Sequence, residues 1–103
     1  MREGIVQQSD SETASALIYT GACNFHGIIV CTDGTNDITL NIYDNIAGSG
    51  TKIIPETIIP TSADIRSQHI KFPTPVKCST GLYVTVSGSG TESYMVYYET
   101  SYR

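Results

Sequence analysis

Two histidines, His26 and His69, and three cysteines, Cys23, Cys31 and Cys78, are the side chains best suited to act as bases, nucleophiles or soft metal ligands. Acyl transfer needs a Ser or Cys nucleophile, a His base and an orienting acid brought together by the fold. The sequence has no G-x-S-x-G elbow, and no Gly-rich turn leads into a helix to build an oxyanion hole. His26 lies inside the apolar run 22–31, where a hydrogen-bonded packing histidine is favoured over a base. His69 follows a polar loop and is expected to be exposed. No HxH, HxxxH or CxxC spacing supports zinc. Asp33, Asn36, Asp37, Asp44 and Asn45 offer oxygen ligands of the kind Ca²⁺ prefers, but the alternating twelve-residue acidic loop is absent. Asp and Asn also form turns by bonding their own backbone, and that reading is preferred here. Glu56, Asp64, Glu92 and Glu99 are scattered, unlike the facing pair that glycoside hydrolysis requires. The Gly-Ser-Gly at 88–90 joins two strands, so it lacks the helix N-terminus that would hold a phosphate. No enzyme, metal or cofactor is expected.

The cysteines also suggest no disulfide. On one extended strand Cys23 and Cys31 would stand about 26 Å apart at 3.3 Å per residue, far beyond bridging distance. All three are expected to be buried thiols acting as small hydrophobes.

The elements that would position these groups are strands. Thirteen Ile and six Val stand against three Leu and five Ala, with thirteen Thr and eleven Ser. Such β-branched residues pack well on a pleated surface. Residues 22–31 form an apolar run, 33–37 a turn, and then Ile38, Leu40 and Ile42 alternate with Thr39, Asn41 and Tyr43. These are expected to form a hairpin. Leu82, Val84 and Val86 alternate in the same way, and YMVYYE at 94–99 returns as a second expected hairpin. KIIPETIIP at 52–60 reads as an edge strand broken by Pro55, or as two short edge pieces. Residues 61–68 could form a helical turn, and His69 begins a short strand that Pro73 and Pro75 punctuate before 76–78 continues it. The chain divides into an N-terminal arm or edge strand, 1–13, and a single domain, 14–103. The fold class is all-β: one antiparallel β-sandwich, jelly-roll-like, with about eight short strands.

Charged residues are only 16% of the chain and the net charge is −4. Six scattered basic residues argue against phosphate-backbone binding, so no nucleic acid partner is expected. No run reaches membrane-spanning length and residues 1–10 lack a signal-peptide core, so the expectation is folding in a cytoplasm with no membrane partner. Seven Tyr, two Phe and no Trp is a skewed aromatic set. Tyrosine combines a large contact area with a polar tip and is favoured at interfaces. The candidate interface residues are Ile5 and Val6 of the arm with Tyr83, Tyr94, Tyr97, Tyr98 and Tyr102.

Four segments together resemble small virion proteins encoded in the structural-gene clusters of tailed bacteriophages. They are the GA and HGI elements at 21–28, TDGTND at 32–37, YDN with GSGTKI at 43–53, and C-x-x-GLYV-x-V-x-G-x-G at 78–90. The resemblance covers residues 21–98 and brings no functional residues with it. It implies a non-enzymatic structural part, foremost a capsid decoration (cement) protein at the virion surface. Its partners would be the major capsid protein and copies of itself, in a homotrimer or another symmetric oligomer. A tail, neck or baseplate component is the alternative. A carbohydrate-binding sandwich that contacts host glycans through its tyrosines is an alternative of another class. Under the leading reading, deleting residues 1–10 would leave the fold intact and weaken incorporation into particles.

Overall fold

The computed structural model describes residues 6–9, 11–60, 67–88 and 93–100, with Val6 described by its backbone alone. Eight strands lie among them: β1 (Val6–Gln8), β2 (Ala16–Thr20), β3 (Cys23–Cys31), β4 (Ile38–Tyr43), β5 (Thr57–Ile59), β6 (Ser67–Cys78), β7 (Gly81–Ser87) and β8 (Ser93–Glu99). No helix occurs among the described residues. Two four-stranded antiparallel sheets, β1-β8-β3-β6 and β2-β7-β4-β5, pack as a sandwich. Only the β4–β5 connection stays within one sheet; every other connection crosses to the opposite layer. That order is the jelly roll expected from the sequence.

Alternating side chains hold the layers together. Ile38, Leu40 and Ile42 of β4 turn inward, as do Leu82 and Val84 of β7, against Phe25, Ile28 and Val30 of β3 and Tyr94 and Val96 of β8. Burying one such side chain contributes roughly 1.5–3 kcal/mol, so the alternation in these four strands supplies most of the driving force.

Neither expected hairpin forms. β3 and β4 lie in different sheets, and so do β7 and β8. Residues 32–37 are long enough to carry the chain across the roughly 10 Å between layers, and each strand then finds a partner distant in sequence. β3 pairs with β6 and β8, and β7 with β2 and β4. The proline-bearing segment does form two edge pieces: Lys52 bridges Tyr43, and β5 pairs with β4 beyond Pro55. Residues 61–66 of the expected helical turn lie outside the described residues, while Ser67 and Gln68 belong to β6.

β6 is one strand with an excursion rather than two separate strands. Phe25 pairs with Val76 and Gly27 with Lys71, so residues 72–75 stand opposite His26 alone. An extra stretch like this costs ladder hydrogen bonds, and Pro73 and Pro75, which have no N–H to lose, occupy it on an edge strand. His26 is also the extra residue against β8, where Phe25 pairs with Tyr98 and Gly27 with Tyr97. Because Phe25 points into the core, His26, the next residue, faces outward.

At the N-terminus, Val6, Gln7 and Gln8 pair with Glu99, Tyr98 and Tyr97. Gln7 donates to Thr100 Oγ1, and Val96 N donates to Ser9 Oγ. Deleting residues 1–10 would therefore remove the edge strand of the first sheet and uncover β8. This revises the expectation that the segment can be removed with the fold intact.

Candidate functional site

The outer face of the first sheet carries a cavity of about 450 Å³ lined by His26, His69, Lys71, Phe72 and Tyr97. Three strands and the excursion build it. β3 supplies His26 through its bulge, β6 supplies His69 and Lys71, the start of the excursion supplies Phe72, and β8 supplies Tyr97. The rings of His69 and Tyr97 lie 5.6 Å apart at 50°. His26 Nε2 is 3.1 Å from Glu99 Oε1, and Asn24 Nδ2 donates to the same oxygen at 3.4 Å. The His26–Glu99 contact becomes an ion pair when the ring carries its second proton. His26 is hydrogen-bonded as expected, but on the sheet surface rather than in the core, and His69 is exposed as expected. The pair fixes the ring of His26, yet acyl transfer also needs a nucleophile and oxyanion donors, and the lining residues include no Ser, Thr or Cys. Flat rings, one ammonium group and a hydrogen-bonded His–Glu pair offer apolar contact and hydrogen bonding.

The expected interface tyrosines do not form one surface. Tyr97 faces outward on the first sheet, while Tyr83 faces outward on the second, across the sandwich. Tyr94 is only 2% exposed, and its hydroxyl donates to Ala14 O at 2.7 Å, so its ring belongs to the core. Burial pushes its phenol pKa up, with the charges of Glu12 and Tyr83 adding to the effect. Tyr98 packs inward against the core with its ring 5.8 Å from that of Tyr19. Ile5, Tyr102 and the side chain of Val6 lie outside the described residues. Tyr97 and Tyr98 therefore offer no continuous platform for a sugar.

A second surface was not foreseen. On the outer face of the second sheet, Leu17, Tyr83 and Tyr43 form one cross-strand row, and Ile46 lies over the backbone of Gly81 at its end. Leu17 is 44% exposed and Ile46 51%; Ile58 on edge strand β5 is 61% exposed. The available signal was the period of two, which sets Tyr83 and Tyr43 opposite the core residues Leu82 and Ile42.

The acidic turn residues act on the backbone. Asp33 Oδ1 accepts from Thr35 N at 2.8 Å and Asn36 N at 2.9 Å, and Oδ2 accepts from Asn36 Nδ2 at 2.9 Å. Gly34, at φ +84°, permits the turn that only glycine adopts readily. The Asp44 carboxylate accepts from Ser79 N at 3.0 Å, Thr80 N at 2.8 Å and Gly81 N at 3.3 Å, clasping the β6–β7 turn to the end of β4. Asn45 closes its own loop, accepting from Ile46 N and donating to Ser49 O. Among the described residues, no group of three or more His, Cys, Asp or Glu is placed to hold a metal ion.

Partial burial acts to raise the Asp44 pKa, but the N–H groups of Ser79, Thr80 and Gly81 together outweigh it and hold the carboxyl below its ordinary value. A carboxyl lowered by folding contributes stability above its unfolded pKa, near 4, and loses that contribution as pH falls through the folded value. Asp44→Asn is therefore expected to cost about 1–2 kcal/mol at neutral pH, allowing for the partial exposure of these bonds. The gap from the parent should be constant above pH 5 or so and narrow below about pH 4. Urea midpoints across that range check it, and a gap that widens on acidification refutes it.

No protein-family model, curated protein or solved structure matches the chain.

Proposed function

We propose that the chain is a structural component of a tailed-bacteriophage virion, namely a capsid decoration protein that binds and stabilises the major capsid protein lattice. The observation that carries this reading is where the phage-like motifs fall in the fold. TDGTND makes the Asp33 turn, and YDN supplies the Asp44 clasp and the Asn45 loop. The glycines of the first and third motifs include Gly21 at φ +118° and Gly50 at φ +98°, and the Ser79–Gly81 N–H groups of the fourth receive the clasp. The residues that carry the phage resemblance thus shape the backbone, as suits a structural part.

The row of Leu17, Tyr83 and Tyr43 with Ile46 supplies the contact surface. Aromatic and aliphatic side chains grouped in one row are the composition of an interface centre. On a repeating shell many modest contacts of this kind add through multivalency. Symmetric self-association around a local axis would complete such a site.

Two measurements test the reading. Quantitative gels and electron microscopy of purified particles should find the chain on the shell, in copies proportional to the major capsid protein. A single ring's worth of copies would instead make it a tail or neck part, and absence from the particle would refute the proposal. Leu17→Glu should cost no more than about 1 kcal/mol of stability, because nearly half of the residue is solvated. The same substitution should lower particle occupancy about tenfold, the loss expected when an interface anchor worth 1.4 kcal/mol is removed. Unchanged occupancy would remove this face from the proposal.

A further inference from the structure

Cys23 and Cys78 stand directly opposite one another as the terminal pair of β3 and β6. Both are buried and both are free thiols. Directly opposed residues of an antiparallel pair have Cα atoms about 4.5–5.5 Å apart, within the roughly 4.4–6.8 Å that a disulfide spans. Sequence reasoning weighed only the Cys23–Cys31 pair, implausible on one extended strand, and no local spacing signals the long-range one.

We propose that Cys23 and Cys78 are a site of reversible oxidation, forming a cross-strand disulfide by exchange with a low-molecular-weight disulfide such as oxidised glutathione. One protein thiol loses its proton to solvent and attacks a sulfur of the reagent; a mixed disulfide forms and one reagent thiol leaves. The second protein thiol, also losing its proton, attacks the protein sulfur of that mixed disulfide and expels the second reagent thiol. Two protein thiols thereby lose two electrons and two protons, and the reagent disulfide becomes two thiols.

Exposure favours Cys23 as the first to react, since it is 5% exposed and Cys78 is fully buried. Burial acts to raise the pKa of both thiols. Access comes through the edge: β6 borders the first sheet, and beyond the excursion only Val76, Lys77 and Cys78 pair with β3. Fraying of that short end exposes both sulfurs while opening only the margin of the core to which they belong. The bond would also fix the far end of the excursion whose near end, Phe72, lines the outer cavity.

Cys31, exposed at the opposite end of β3, is the thiol that would link two molecules, so the test uses Cys31→Ser. This protein is refolded in a reduced/oxidised glutathione buffer and compared with the dithiothreitol-treated form. The expected product is a monomer lighter by about 2 Da, with one peptide crosslink joining Cys23 and Cys78. Its melting temperature should rise by about 10 °C or more, because the closed loop is long. Adding Cys78→Ala should abolish both the mass change and the shift. Two thiols still titratable in denaturant after equilibration would overturn the proposal, and so would a crosslinked form that melts no higher than the reduced one.

Discussion

Valine in place of Gly27 is expected to destabilise the protein by at least about 3 kcal/mol, the upper end for an overpacked interior. A Cβ at this position would lie 2.5 Å from Ile70 O and 3.2 Å from Lys71 Cα. Both obstacles are backbone, so no side-chain rotation relieves them. β6 would have to move off β3 where Gly27 pairs with Lys71 and Ile28 with Ile70. Gly27→Ala should fail in the same direction by about 1–3 kcal/mol. Urea unfolding with an unchanged m-value is the measurement. An alanine variant within about 0.5 kcal/mol of the parent would show that the strands do not approach this closely. The loss should also reach the outer cavity, because the displaced strand carries His69 and Lys71.

Phe25→Ala should cost about 3–5 kcal/mol, a large share of the 5–15 kcal/mol that holds a domain of this size folded. The ring is fully buried and meets Phe72 edge-on at a centroid distance of 5.6 Å. Phe72 is only partly buried and opens the excursion opposite His26, so Phe72→Ala should cost less. Their double mutant should recover about 0.5–1.5 kcal/mol of the summed losses, the coupling of an aromatic pair. Strict additivity would mean that the excursion is held to the sandwich by something other than this contact.

The strands were legible because their residues obey a period of two that solvent and core enforce. Burial of every second residue in β4 follows the Ile-Thr-Leu-Asn-Ile-Tyr pattern residue for residue. Pro73 and Pro75 fell on the edge strand β6, and Pro55 between the two edge pieces beside β4, as their missing N–H groups require. Strand partners were not legible. Periodicity says which face of a strand is buried and nothing about which strand lies beside it, so two alternating neighbours looked like a hairpin. For the tyrosines the signal was present: along YMVYYE, Tyr94 and Tyr98 share one face and Tyr97 the other. The His26–Glu99 contact and the Cys23–Cys78 pair depend on registers between distant strands and on a bulge, which no local pattern announces. Cys31 departs from its expected burial because it ends β3 facing outward.

The pairing of β1 with β8 has a consequence in time. Val6 finds its partner in Glu99, so of the eight described strands β1 is made before the others and waits for β8 before it can dock. β3 likewise waits for both β6 and β8. Chains dominated by such distant pairings fold over milliseconds to seconds, far more slowly than helical bundles. During synthesis the early strands remain unpaired edges, open to the same strands on neighbouring nascent chains. Sparse charge does little to keep those chains apart, so yield should respond to the rate of expression as much as to the stability of the finished sandwich.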